Sequence, residues 1–184
     1  PVFRMCSPGD LIEKTAAALR GYRSMGPVRV GNAAATQVQN DAYGSIVLTA
    51  AQMFFDQRLS SAGDAALYEQ LRHVGGLAVK RAFEPDAGPW EYRGRVLPHT
   101  YPAAMCWAAV HRLGLIASRL GFTDEAEEWR GHARAIREEL LERATTREGW
   151  ISGALGADIA DASTLLLTEI GLVKADDPRF ARTL

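Results

Sequence analysis

The segment EPDAGPWEYRG, residues 84–94, contains the side chains of this sequence that are best suited to acid–base chemistry. Trp90 stands beside Glu91, and Arg93 follows two positions later. A large apolar neighbour raises the pKa of a carboxyl group by desolvation, which is how a general acid is kept protonated near neutral pH. Two interpretations follow: Glu91 is such an acid, or this is a surface loop in which Trp90 packs on a helix end and Glu91 pairs with Arg93 or Arg95.

A second group of polar residues lies in TQVQNDAYG, residues 36–44, near the start of a helical segment with very little charge. Gln39 and Asp41 belong to this group. Polar groups on a helix that is buried on most sides need partners, because an unpaired buried polar group costs about 1–3 kcal/mol. Water and sugar hydroxyls in a cavity would serve, and so would neighbouring loops, and the sequence leaves both interpretations open.

Cofactor and metal sites are not predicted. The segment GPVRVGNAAA, residues 26–35, lacks both glycine patterns of nucleotide-binding loops and is not part of a strand–turn–helix unit. It is predicted to be a loop that leads into a helix capped by Asn32. The four histidines, among them His99 close to the Trp–Glu segment, are scattered without metal-ligand spacing, so no structural zinc is expected.

Composition limits the class of protein. The chain has 184 residues and a formal charge of −1, so no global field favours nucleic acid or an anionic membrane. No apolar run is long enough to span a bilayer, and no signal peptide stands at the front, although Pro1 indicates a processed or cut terminus. Cys6 and Cys106 form no CxxC pair, which favours a reduced, cytoplasmic setting.

Periodicity and capping signals predict a chain made mostly of helices. Asn32 is the expected cap of one of them, Gly121 ends another, and Thr123 or Asp124 caps the helix that follows. Short strands are predicted at residues 1–5 and within 147–158. The predicted helices cover residues 7–21, 33–58, 64–82, 100–120 and 124–144, and one more begins within 158–171.

Charge alternates between successive helices. Asp41 is the only formally charged side chain within residues 33–55, and the helix at 100–120 has only Arg112 and Arg119, whereas the helix at 124–144 is dense in Glu and Arg. A helix that is apolar nearly all round is buried, and one with a single apolar stripe lies outside. Inner and outer helices joined as hairpins indicate an α/α toroid or a helical solenoid, here with about two and a half hairpins.

Three ordered blocks resemble the bacterial glucoamylase and trehalase branch of glycoside hydrolase family 15. They are GYRSMGPVRVGNAAATQVQNDAYG at 21–44, PDAGPWEYRG at 85–94 followed by HTYPAAMCWAAVHR at 99–112, and DIADASTLLLTEIGLVKADDPRF at 158–180. The resemblance implies an all-α, (α/α)6 toroid, which agrees with the alternation of charge. It also implies hydrolysis of α-glucosidic bonds with inversion, in the carbohydrate metabolism of disaccharides or oligosaccharides.

The resemblance assigns roles to individual residues. Glu91, directly after the tryptophan of the motif, would be the general acid, and Trp90 would contact sugar. Gln39 and Asp41 stand where the family carries polar residues on an inner helix that borders the cavity, and they are candidate substrate-binding residues together with Arg93. An inverting mechanism also needs a carboxylate base on the opposite face of the sugar.

The same comparison predicts that residues 1–184 are the middle of a catalytic domain. The family's N-terminal β-sandwich, the segment that holds the non-reducing glucose and the segment that carries the general base are not in this sequence. We therefore expect the isolated chain to be inactive and to self-associate through exposed apolar helix faces. Ala87 stands where the family pattern has an acidic residue, Pro89 stands where it has Ile, and HTYP lacks the usual lysine.

Two alternatives belong to other functional classes. A non-catalytic helical-repeat module that binds a sugar or a protein partner would explain the substitutions at Ala87 and Pro89. Another toroid activity, such as sugar epimerisation, would require a pair of histidines, and none stands at suggestive positions.

Overall fold

The computed structural model describes residues 12–92 and 94–184, and the chain divides into two compact units, one ending at Val38 and the other spanning Gln39–Leu184. The predicted all-α class is confirmed. The two short strands are β1 (Lys14–Thr15) and β2 (Arg29–Val30). The α-helices are α1 (Asp41–Phe55), α2 (Ala65–Arg81), α3 (Thr100–Leu120), α4 (Thr123–Ala144) and α5 (Pro178–Thr183), and 3-10 helices cover Tyr22–Ser24, Ala33–Thr36 and Ala162–Leu167.

The N-terminal unit contains a two-stranded antiparallel sheet rather than the helix predicted at 7–21. Over the described part of that range the prediction is wrong, because β1 pairs with β2 in the register Lys14 with Val30. Glu13 supports the pairing: its carboxylate forms a 3.0 Å ion pair with Arg29 and accepts a 3.4 Å hydrogen bond from the backbone of Ala33. The strand predicted at residues 1–5 lies outside the described residues.

Helix α1 begins later than the predicted residue 33. Asn32 is indeed a cap, because its side chain accepts the backbone N–H of Ala34 at 2.9 Å, but the helix it caps is only the 3-10 helix Ala33–Thr36. The chain is extended at Gln37, and α1 starts at Asp41. Gln39 therefore precedes the helix, and Asp41 lies in its first turn.

The other long helices follow their predictions closely. α3 has the predicted bounds, α2 and α4 differ from theirs by one residue at most at either end, and Gly121 ends α3 with a φ of 83°. The predicted cap of α4 at Thr123 or Asp124 is wrong, because the helix begins at Thr123 and no side chain caps it. Asp124 and Glu125 instead place negative charge in the first turn, where it interacts favourably with the helix dipole.

Helix α3 forms the centre of the second unit. Fourteen of its residues are buried, and α1, α2 and α4 all pack against it. α2 and α4 are joined by side chains: the hydroxyl of Tyr68 donates to Glu125 at 2.8 Å and accepts from the indole of Trp129 at 3.0 Å. The predicted contrast between the buried, low-charge helix α3 and the more highly charged helices α2 and α4 that pack against it is thus present in the structure.

Helix α1 is buried on one face only. Gly44, Val47, Ala51 and Phe54 are buried in it, while Ile46 is 50% exposed. The prediction from its low charge, burial on most sides, therefore does not hold within the described residues. No helix of the described ranges combines the length and apolarity needed to cross a bilayer.

The segment after α4 is less regular than predicted. The helix expected within 158–171 is only the 3-10 helix Ala162–Leu167, and the strand expected within 147–158 is reduced to isolated bridges of Ile151 with Thr145 and of Ala154 with His99. Side chains satisfy the backbone here instead of a ladder. For example, the hydroxyl of Ser152 accepts the N–H of Ile159 at 3.0 Å.

The last helix provides a prediction about acid stability. Asp177 caps α5 through the N–H of Arg179 at 2.9 Å, and its hydrogen bonds with the Arg179 guanidinium lower its pKa to about 2. Because the folded-state pKa lies below the ordinary value of 3.8, the stabilisation is present above pH 4 and is lost as the pH falls towards 2. Asp177→Ala should therefore cost about 1 kcal/mol at pH 7 and progressively less below pH 4.

The measurement is the thermal midpoint of the protein that contains this chain, at pH 7 and at pH 3. The exposed neighbour Asp176 provides the control, because Asp176→Ala should leave both midpoints unchanged. An equal loss for Asp177→Ala at the two pH values would contradict the assignment.

Candidate active site

The Trp–Glu segment is a closed loop between α2 and α3. Backbone hydrogen bonds join Asp86 and Leu97 in both directions, at 2.9 Å and 3.2 Å, and so bring the two ends of the loop together. Trp90 and Glu91 lie between these ends. The loop that carries the two residues is therefore hydrogen-bonded at its two ends and is not an extended linker.

Among the described residues of the loop, three have a positive φ. Gly88 and Gly94 each have a φ of 68°, and Glu91 has a φ of 53°. At Gly88 the absence of a side chain is required, since a Cβ there would lie 2.8 Å from the ring of His99. A non-glycine residue in the left-handed region is strained, and such outliers cluster at functional sites.

Asp86 ties the loop to the start of α1. Its side chain is buried, and its two carboxylate oxygens accept the backbone N–H groups of Asn40 at 2.8 Å and Gly88 at 3.0 Å. The side-chain amide of Asn40 in turn donates to the backbone carbonyl of Glu84 at 3.1 Å. Burial raises the pKa of Asp86, against these two backbone hydrogen bonds.

These links bring three predicted site residues together. The side-chain amide of Gln39 donates to Oε1 of Glu91 at 3.2 Å. Burial raises the pKa of Asp41, and the negative charge of Glu91 raises it further, so the two carboxyl groups lie within electrostatic range. Oδ1 of Asp41 is buried and has no hydrogen-bond partner among the described residues.

Trp90 faces solvent beside this group. It is 52% exposed, and its indole N–H donates to both carboxylate oxygens of Asp161, at 3.0 Å and 3.1 Å. Arg95 is a basic residue of the same loop. Its guanidinium carbon lies over the ring of Tyr92, 5.2 Å from the ring centroid. The predicted substrate-binding residue Arg93 lies outside the described residues.

Two further side chains, His99 and Cys106, are buried next to residues of the site. His99 is buried just before α3, within electrostatic range of both Asp86 and Asp161. Cys106 donates to the carbonyl of Asn40 at 3.4 Å, and burial raises its pKa to about 12, so it is a neutral thiol rather than a nucleophile. Within residues 12–92 and 94–184, no three His, Cys, Asp or Glu side chains are grouped to hold a metal ion.

Sequence reasoning missed the residues that hold the site together. Asp86 and Asp161 both lie inside blocks of the family resemblance, but neither has a local pattern that reveals its partner. Their partners Asn40 and Trp90 are 46 and 71 positions away along the chain. Only the tertiary arrangement identifies these contacts.

Fold and site together define an all-α protein with a polar cluster at the loop that leads into α3, the most buried helix of the described residues. The profile of the family described as Glycosyl hydrolases family 15 matches residues 8–184, and the chain belongs to this family.

Trehalases are among the curated proteins to which the chain is similar. The chain is 33% identical over 175 residues to a trehalase of Mycolicibacterium smegmatis, covering 95% of this chain and 26% of that protein. It is 29% identical over 185 residues to a trehalase of Thermoplasma volcanium, covering 100% and 29%, respectively. The chain thus spans between a quarter and a third of the length of these relatives. No solved structure matches it.

Proposed function

We propose that the protein containing this chain hydrolyses an α-glucosidic bond with inversion and that Glu91 is its general acid. The observation that carries the proposal is the convergence of Gln39, Asp41 and Glu91 at one loop in a family of glycosyl hydrolases. The relatives named trehalase favour the disaccharide trehalose over longer α-glucosides.

In this mechanism Glu91 donates its proton to the glycosidic oxygen while a carboxylate base activates water from the opposite face of the sugar. The hydrogen bond from Gln39 at 3.2 Å orients the carboxyl group of Glu91. The base belongs to a part of the protein outside these 184 residues. The isolated chain is therefore inactive in this proposal.

The remaining site residues bind the sugar. The exposed ring of Trp90 offers a flat apolar surface against which a pyranose ring stacks. Asp41 lies half-buried in the first turn of α1, and its carboxylate accepts a hydrogen bond from a sugar hydroxyl. Arg93 has its binding role from the family resemblance alone.

The test is an assay of the full-length protein with trehalose, maltose and isomaltose, with the anomers of the released glucose followed by NMR. Inverting hydrolysis of trehalose yields equal amounts of α- and β-glucose at early times, because only one of the two sugars is attacked. Release of α-glucose alone would contradict inversion. Absence of hydrolysis of all three sugars would contradict the proposed function.

A second candidate is a non-catalytic helical module that binds sugar or protein. The observation in its favour is Ala87, which is buried at 3% exposure where the family pattern has an acidic residue. The gene that encodes this chain separates the two candidates. In the resembling family a WxRDA-like segment holds the non-reducing glucose and an EEY-like segment carries the general base. The first encoded upstream and the second downstream would support the enzyme. The cytoplasmic location, the division into domains and self-association of the isolated chain stay predictions.

A further inference from the structure

Asp161 lies in the third block of the family resemblance, for which the proposed mechanism has no role. We propose that Asp161 is a positioning residue that fixes the indole ring of Trp90 beside Glu91. This inference rests on the proposed function in one respect, namely that the ring of Trp90 contacts sugar.

Asp161 forms hydrogen bonds with the half-exposed indole ring of Trp90. The indole N–H points between the two carboxylate oxygens, at 3.0 Å and 3.1 Å. Because Trp90 is 52% exposed, packing alone would leave its ring freedom to rotate. A hydrogen bond to a charged acceptor is stronger than one between neutral groups and fixes the ring plane.

Asp161 is itself held in place by its neighbours. Its Oδ1 accepts the backbone N–H of Ser163 at 2.8 Å and the hydroxyl of Ser163 at 2.7 Å. Gly153 packs directly against it, since a Cβ at that position would lie 2.3 Å from the Cβ of Asp161. A carboxylate with this support can orient another side chain, as a freely rotating one could not.

The support of Asp161 is continuous with the start of α3. The backbone N–H of Thr100 donates to the carbonyl of Gly153 at 3.0 Å, and that of Leu155 donates to the carbonyl of Pro98 at 2.9 Å. The loop that carries Trp90 is packed against this same region, through the close approach of Gly88 to His99. Trp90 and Asp161 are therefore both supported by the hydrogen-bonded segments at the start of α3.

The charge state of Asp161 suits this role. Burial works against its ionisation, but hydrogen bonds from Ser163 and Trp90 outweigh burial and place its pKa below the ordinary value. The side chain is thus a carboxylate at neutral pH. It accepts hydrogen bonds from both residues and donates none.

The simplest alternative is that Asp161 only caps the 3-10 helix Ala162–Leu167. Asp161→Ser separates the two roles, because serine is also a favoured cap but is too short to reach the indole. Trp90→Phe removes the donor and keeps an aromatic ring. The exposed Asp158 supplies the control Asp158→Ser, which changes a carboxylate three positions away and should leave all readouts unchanged.

The first measurement is a double-mutant cycle on the full-length enzyme. Asp161→Ser should raise KM for the α-glucoside about tenfold with a smaller effect on kcat, because it loosens a ring that binds the sugar. In the Trp90→Phe background the same substitution should raise KM less than about twofold. Equal effects in the two backgrounds would overturn the proposal, since the cap would then explain them.

The second measurement does not depend on activity. The indole N–H resonance of Trp90, assigned by its loss in Trp90→Phe, should move upfield in Asp161→Ser and exchange faster with solvent. Titration with glucose, followed on that resonance, should give an affinity about tenfold weaker in the variant. An unchanged resonance or an unchanged glucose affinity would overturn the role of Asp161. Absence of hydrolysis by the wild type would remove the proposed function and leave this test intact.

Discussion

Glu91→Gln should lower kcat for the α-glucoside by about a hundredfold to ten-thousandfold, the usual contribution of a general acid. Glutamine has the shape of glutamate and retains an oxygen for the amide of Gln39, but its amide N–H is too weakly acidic to protonate the leaving oxygen. Glu91 is exposed, so the thermal midpoint should move by no more than about 1 °C. Steady-state kinetics of the full-length protein measure the effect.

Glu84 provides the control for this experiment. It is an exposed glutamate at the start of the same loop, with its carboxylate paired to Arg81. Glu84→Gln should leave kcat and KM unchanged. Full activity in Glu91→Gln would show that another group protonates the leaving oxygen.

A glycine at the same position tests the strain. A left-handed backbone conformation costs a residue with a side chain about 1–2 kcal/mol, and substitution by glycine relieves this strain. Part of the relief is offset because glycine has more conformational freedom in the unfolded chain. Glu91→Gly should therefore raise the free energy of unfolding by about 0.5 kcal/mol while activity is lost. Tyr92→Gly, which removes a side chain at an adjacent position without positive φ, should lower it. A lower midpoint for Glu91→Gly would contradict the strain.

The second large effect concerns the contact between α1 and α3. A Cβ on Gly44 would lie 2.4 Å from the carbonyl oxygen of Met105 and 2.8 Å from its carbonyl carbon. These are backbone atoms within a buried helix, so they cannot move aside as a flexible side chain would. Gly44→Ala should therefore lower the free energy of unfolding by about 3 kcal/mol, at the upper end for overpacked cores.

Gly131 in α4 is the matched control, because a Cβ there meets nothing within 4 Å. Gly131→Ala should raise the free energy of unfolding by up to about 1 kcal/mol, the difference in helix propensity between the two residues. Chemical denaturation of both variants measures the contrast. A stabilising effect of Gly44→Ala would mean that α1 and α3 are farther apart than described. Asp41 lies on α1, so its position relative to Glu91 would then differ as well.

The long helices could be predicted because local and tertiary forces agree in them. α3 has a nearly continuous apolar surface, only two charged residues and a glycine directly after its last residue, so its bounds follow from periodicity and capping alone. The outer face of α4 is charged, and its apolar stripe repeats at helical spacing. The Trp90–Glu91 pair was equally visible, because it is a local motif between two such helices.

Predictions failed where a distant side chain decides the backbone conformation. Residues 12–21 have a helical pattern, yet Glu13 bonds to Arg29, and Lys14–Thr15 within the segment pair as a strand. Asp86 captures the N–H of Asn40, and α1 begins only at Asp41. In both cases hydrogen bonds between residues far apart in sequence outweigh local helix propensity, which is worth less than about 1 kcal/mol per residue.

The sequence by itself thus determined the helical class, the bounds of helices α2, α3 and α4 to within one residue, and the identity of the candidate acid. Only the tertiary structure decided what surrounds that acid, because the partners of the loop come from positions 46 to 71 residues away. Gln39 reaches Glu91 from the start of α1, and Asp161 reaches Trp90 from beyond α4. Contacts of this kind depend on how helices pack, and packing is a property of the folded chain rather than of any local pattern.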